Sequence, residues 1–112
     1  MKKIAIFASG SGSNAENIAH FFNGNEEVEI SLIVCNKPDA FVLERAKKLG
    51  IPAKIIRGAE MSDEATVMSL MSEYQIDFIV LAGYLLRIPE YLVKAYPNAI
   101  VNIHPALIPL QG

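Results

Sequence analysis

The stretch "KKIAIFASGSGSNAENIA", residues 2–19, decides the fold. It begins as a short apolar run with β-branched content over 4–9, turns at Gly10 and Gly12, and passes into a segment of helical character. A glycine-rich turn between a strand and a helix leaves backbone N–H groups unpaired at the helix start, where the helix dipole favours an anion. Gly10 and Gly12 let the chain turn tightly and let a ligand approach the backbone. The amides of Ser13, Asn14 and Ala15 would open the helix. Ser11, Ser13 and Asn14 add short polar side chains that can donate to phosphate oxygens. The plainer alternative is a helix start capped by Ser13 or Asn14, with no ligand.

Outward from this turn, strand and helix alternate. "VEISLIV" (28–34), "AKII" (53–56), "DFIVLA" (77–82) and "AIVNI" (99–103) are near-continuous apolar runs, as suits parallel strands covered on both faces. Between them, Leu43, Ala46 and Leu49 stand at helical spacing before a stop at Gly50. Ser62 is an expected N-cap for a helix that buries Val67, Leu70, Met71 and Tyr74. Pro89 can open a short helix that Pro97 closes. The pattern predicts one α/β domain over 1–112, a doubly wound, Rossmann-like and mostly parallel sheet with helices on both faces. Ligands of such sheets bind outside the carboxyl ends of the strands, where strand order reverses. Three segments should therefore meet there: the glycine turn, "GYLLRIP" after the fourth strand and "NIHPALIP" after the fifth.

Composition narrows the function. The chain has 112 residues and a formal net charge of −2, with no basic stretch suited to a nucleic-acid backbone. Nothing in it reads as a signal peptide or a membrane span. The single cysteine, Cys35, ends an apolar run and is expected to be buried packing, which fits a reducing, cytoplasmic compartment. The histidines and the cysteine lack metal-ligand spacing, so no metal is expected. His20 sits late in an apolar helix, with no acidic or cysteine partner evident, and reads as structural or surface.

The turn also matches G-x-G-x-x-A through Gly10, Gly12 and Ala15, the form of a dinucleotide site. Such sites place an acid at the end of the second strand, but Asn36 and Lys37 stand there, so a mononucleotide-like phosphate ester fits better. A nicotinamide-dependent oxidoreductase domain and a non-catalytic sugar-phosphate module remain as alternatives. In "AIVNIHPALIP", Asn102 and His104 would share one strand face about 6.7 Å apart, before Pro105 ends the strand. An amide can donate to a developing oxyanion and an imidazole can move a proton near neutral pH, a pairing that suits acyl-type transfer. A satisfied histidine in a proline turn is the plainer reading.

"IAIFASGSGSN", "LAGYLLRIP", "VNIHPALIP" and "VCNKPDAFVLERAKKLGIP" together resemble the folate-dependent phosphoribosylglycinamide formyltransferase family of purine synthesis, over nearly the whole chain. N-I-H-P-x-L-x-P is shared with other users of formyltetrahydrofolate, whereas S-G-x-G-S-N points to glycinamide ribonucleotide. The resemblance implies formyl transfer from 10-formyltetrahydrofolate, a co-substrate, to the amine of glycinamide ribonucleotide. It implies that Gly12, Ser13 and Asn14 hold the ribonucleotide phosphate, that His104 is the proton donor and that Asn102 stabilises the oxyanion. Leu85, Leu86, Arg87 and Ile88, with Asn102, would line the folate pocket, partly through backbone groups. Arg87 stands one place later than in the family's usual pattern, and no arginine matches a further family position near "SDEA". Family members are longer and supply a catalytic aspartate downstream of the histidine. None of this chain's acids follows His104. The 112-residue chain alone is therefore expected to lack the C-terminal part of the fold and to be weakly active or inactive. Its oligomeric state is open.

Overall fold

The strand that opens the chain lies at the centre of the sheet. In the structure, a computed structural model that describes residues 1–103, β1 (Lys2–Ala8) pairs in parallel with β2 (Val28–Cys35) on one side and β4 (Phe78–Ala82) on the other. The short β3 (Ala53–Ile55) extends the sheet beyond β2, and β5 (Ile100–Ile103) extends it beyond β4. The order is β3-β2-β1-β4-β5, with every pairing parallel, which is the expected doubly wound sheet.

Alternation along the strands divides the core in two. Ala5, Phe7, Leu32, Val34, Ile79 and Leu81 face one side. There they meet the short α3 (Gly58–Met61), α4 (Glu64–Glu73) and α5 (Glu90–Ala95), through Met61, Val67, Met71 and Leu92. Ile4, Ile6, Ala8, Ile33, Cys35 and Val80 face the other side. They are covered by α1 (Ser13–Phe21) and α2 (Val42–Leu49), through Ala15, Val42 and Ala46. β1 is buried on both faces from Ile4 onward, as its unbroken apolar run requires. Cys35 is free and fully buried.

Helix ends follow local chemistry. α2 stops at Gly50, which takes the left-handed conformation at φ 72°. Pro89, extended at φ −65° and ψ 152°, caps α5. The expected cap at Ser62 is corrected by one residue. Ser62 still has helical backbone because it closes α3, a one-turn helix too short to show a period. The extended residue that an N-cap requires is Asp63, whose carboxylate accepts from the Thr66 hydroxyl at 2.7 Å.

Phe7 is fully buried and meets the Tyr84 ring edge to face, with centroids 5.3 Å apart. Truncating it should leave a cavity under the sheet, so Phe7→Ala is expected to lower the unfolding free energy by about 3–5 kcal/mol. Phe21→Ala, at a side chain 80% exposed, should change it by no more than about 0.5 kcal/mol. Urea unfolding of the two variants checks the contrast.

Candidate functional site

β1 neighbours both β2 and β4, so the connections from its end and from the end of β4 diverge and leave a crevice between them. A cleft of about 90 Å³ lies there, lined by residues 10–14 on one side and 82–83 on the other. That is room for roughly three waters, or for one phosphate-sized anion. A larger hollow of about 470 Å³ sits at the opposite end of the sheet, against Met1 and Val28 at the strands' amino ends, away from these residues.

The turn itself is built from backbone. Gly12 occupies the cap position of α1 with φ 79° and ψ 16°, and neither Ser13 nor Asn14 caps the helix with its side chain. The Gly12 carbonyl accepts the first helical bond, from Glu16 N at 2.8 Å. The first amides of α1 have no acceptor within the helix. A Cβ on Gly12 would overlap Val42 of α2, lying 2.8 Å from its Cα. Gly10 has open space around it and an ordinary φ. The two glycines therefore differ: Gly12 is required by φ and by close approach, and Gly10 by neither.

The second wall starts at Gly83, also left-handed at φ 73°. Its link to the turn is the Leu85 amide, which donates to the hydroxyl of buried Ser9 at 2.8 Å. Leu85 and Arg87 are exposed, while Leu86 and Ile88 pack against the core beside α5. Any contact to a ligand from Leu86 or Ile88 would come mainly from backbone or from the edge of a packed side chain. The Tyr84 hydroxyl is buried without a partner among the described residues, and burial pushes its pKa well up. Asn102 lies on β5 opposite Leu81, exposed and one register step before the ends of both strands. His104 lies outside the described residues. The glycine turn and the 83–88 segment are thus in contact, and β5 carries Asn102 along the adjacent strand.

Two neighbours of the turn escaped sequence reading, both on α2. The Val42 amide donates to the Gly10 carbonyl at 3.2 Å. Arg45 Nε donates to the Ser11 carbonyl at 2.7 Å, its Nη1 pairs with the Glu16 carboxylate, and its guanidinium lies 5.0 Å from the Phe41 ring centroid. A usable signal was present: the helix after the second strand starts beside the end of the first, so its first-turn residues reach the turn. His20 is exposed as expected but does have an acidic partner, since Glu16 lies one helical turn earlier at 3.3 Å. Arg45, and secondarily His20, hold the Glu16 carboxyl below its ordinary value of 4.5. Among the described residues no three metal-binding side chains gather, and no helix is long and apolar enough to cross a membrane.

Fold and cleft define a parallel α/β protein with a small backbone-lined cleft at its switch point. The chain belongs to the formyl transferase family, whose model matches residues 2–110. It is 41% identical to the chloroplastic phosphoribosylglycinamide formyltransferase of Arabidopsis thaliana, over 99% of this chain and 40% of that protein. It is 39% identical to the phosphoribosylglycinamide formyltransferase of Bacillus subtilis, over 97% of this chain and 58% of that one. Glycinamide ribonucleotide transformylase 1 from Geobacillus kaustophilus superposes with a TM-score of 0.85 at 38% identity, covering 97% of this chain and 61% of its own. The chain thus spans roughly two fifths to three fifths of the length of these relatives.

Gly12→Ala should destabilise the protein by about 2 kcal/mol or more, through its left-handed φ and the overlap with Val42. Gly10→Ala should fall within about 0.5 kcal/mol of the parent. Denaturant titration of both variants separates the two roles. Because the folded Glu16 pKa is depressed, its pairing stabilises the fold above pH 4.5 and that contribution is lost as pH falls through the folded value. Carboxyl NMR titration should place Glu16 below 4.5, moving back toward it in Arg45→Met.

Proposed function

We propose that this protein transfers a formyl group from 10-formyltetrahydrofolate to the amine of glycinamide ribonucleotide, giving formylglycinamide ribonucleotide, as a cytoplasmic enzyme of purine synthesis. One observation carries this reading: the backbone cleft at residues 10–14 opens onto the start of the 83–88 segment, in a chain matched over 97–99% of its length by relatives named for this reaction. The ribonucleotide phosphate sits at Gly12, Ser13 and Asn14, where amide donors converge and no side-chain charge is required. The folate lies along Leu85–Ile88, against exposed Leu85 and the backbone between Gly83 and Ile88. The buried, free Cys35 suits a reducing compartment.

The chemistry follows from Asn102, on the strand beside that wall, and from His104. The substrate amine attacks the formyl carbon, forming a C–N bond and a tetrahedral centre with an oxyanion. The Asn102 amide donates to that oxygen. The bond from the formyl carbon to N10 of the folate then breaks, N10 takes a proton from His104, and the proton lost by the attacking nitrogen restores the imidazole. Asn102 lies on β5, next to the strand that leads into the 83–88 segment.

Calorimetric titration with glycinamide ribonucleotide should give saturable binding that Gly12→Val abolishes. In the full-length protein, Asn102→Ala should lower kcat about 10²- to 10³-fold, with little change in ribonucleotide affinity. Folded protein that produces no binding heat would overturn the assignment of the substrate.

A further inference from the structure

Nothing in the turn is held in place by its own side chains, so its shape must come from outside. Peptide geometry shows from where. In a trans peptide the C=O and the following N–H point in opposite directions. The Gly10 carbonyl is tied to Val42 N, so the Ser11 N–H points away from α2. The Ser11 carbonyl is tied to Arg45 Nε, so the Gly12 N–H also points away from α2. The cleft has no lining residue from α2 and is closed on its far side by residues 82–83. Two amides ahead of the helix are thus turned toward the same space that the first amides of α1 face, which makes a concave set of donors.

We propose that Arg45 is a positioning residue for the phosphate site, acting through the Ser11 carbonyl to aim the Gly12 amide at the anion. This rests on the reading that the turn holds the ribonucleotide phosphate. Arg45 is fixed on three sides, by the Ser11 carbonyl, the Glu16 carboxylate and the face of Phe41. Its charge is met by Glu16, so its contribution is orientation rather than attraction. The geometry needs a fork: Nε serves the carbonyl while Nη1 serves the carboxylate. A lysine has one nitrogen at the end of a flexible stem and cannot hold both.

The test uses the full-length protein and two ligands, glycinamide ribonucleotide and the same compound without its phosphate, the riboside, read by competition. Arg45→Met and Arg45→Lys should each weaken ribonucleotide binding about tenfold and leave riboside binding unchanged. KM for the ribonucleotide should rise, with kcat and the KM for the formyl donor nearly constant. Thermal unfolding checks that the variants are folded, and Arg45→Lys carries the test if Arg45→Met is not. Full affinity in Arg45→Lys would overturn the inference in favour of simple charge. Equal weakening of ribonucleotide and riboside would overturn it in favour of a general structural role. Unchanged ribonucleotide affinity in both variants would overturn it while leaving the phosphate reading intact, provided the parent binds the ribonucleotide more tightly than the riboside. A parent protein that binds ribonucleotide no tighter than riboside would overturn both readings.

Discussion

At Gly12 the backbone passes so close to Val42 that no side chain fits between them. This one contact sets the path of the chain out of β1, the direction in which α1 departs and the distance at which α2 packs over the sheet. The left-handed φ of Gly12 reverses the chain within a single residue, so α1 starts with its free amides beside the strand end it has just left. Val42 takes up the space a side chain would have filled and belongs to the core beneath α1 and α2. Stability and ligand geometry therefore share an origin at this point. A change that opens the contact loosens the core on one side and misdirects the donors on the other.

The parallel sheet converts that local geometry into a site. All strands run the same way, so the ends of β1, β4 and β5 reach one edge. The crevice opens between β1 and β4 because β1 sends its connection toward α1 on one face and β4 continues toward α5 on the other. The hydrogen bond from the Leu85 amide to buried Ser9 ties the two banks together. Ser9 is one of very few polar side chains buried in the described core, and its single contact across the switch point accounts for its presence there. The phosphate end and the formyl-donor end of the proposed site are thus in mechanical register through a hydroxyl.

Much of this was readable in the residues. The apolar runs marked all the strands to within about two residues, because parallel strands buried on both faces leave few polar positions to blur their ends. The conformation of the turn was readable because a strand, two spaced glycines and a helix start leave few others. The misses share one physical cause. α3 is one turn long, so it has no period to detect, and Ser62 was taken for the cap that Asp63 provides. The contacts of Val42 and Arg45 join residues 32 to 34 positions apart, through a helix crossing that no local pattern encodes. The pairing of Glu16 with His20 is one that i,i+4 helical spacing does encode.

The charge balance bears on how the proposed phosphate site would work. The chain is slightly acidic overall, and the one guanidinium that touches the turn is paired with a carboxylate. In the proposed site, the described residues at the turn offer a phosphate oriented N–H dipoles and the start of α1. Such a site acts over short range and depends on angle more than on net charge. It discriminates by shape: a tetrahedral oxyanion can accept from several converging amides at once, and a planar carboxylate cannot match as many. In the proposed site, the backbone at Gly12 and the second helix bracing the turn therefore set the donor geometry. A donor set without charge of its own holds its ligand only as well as the backbone holds its shape.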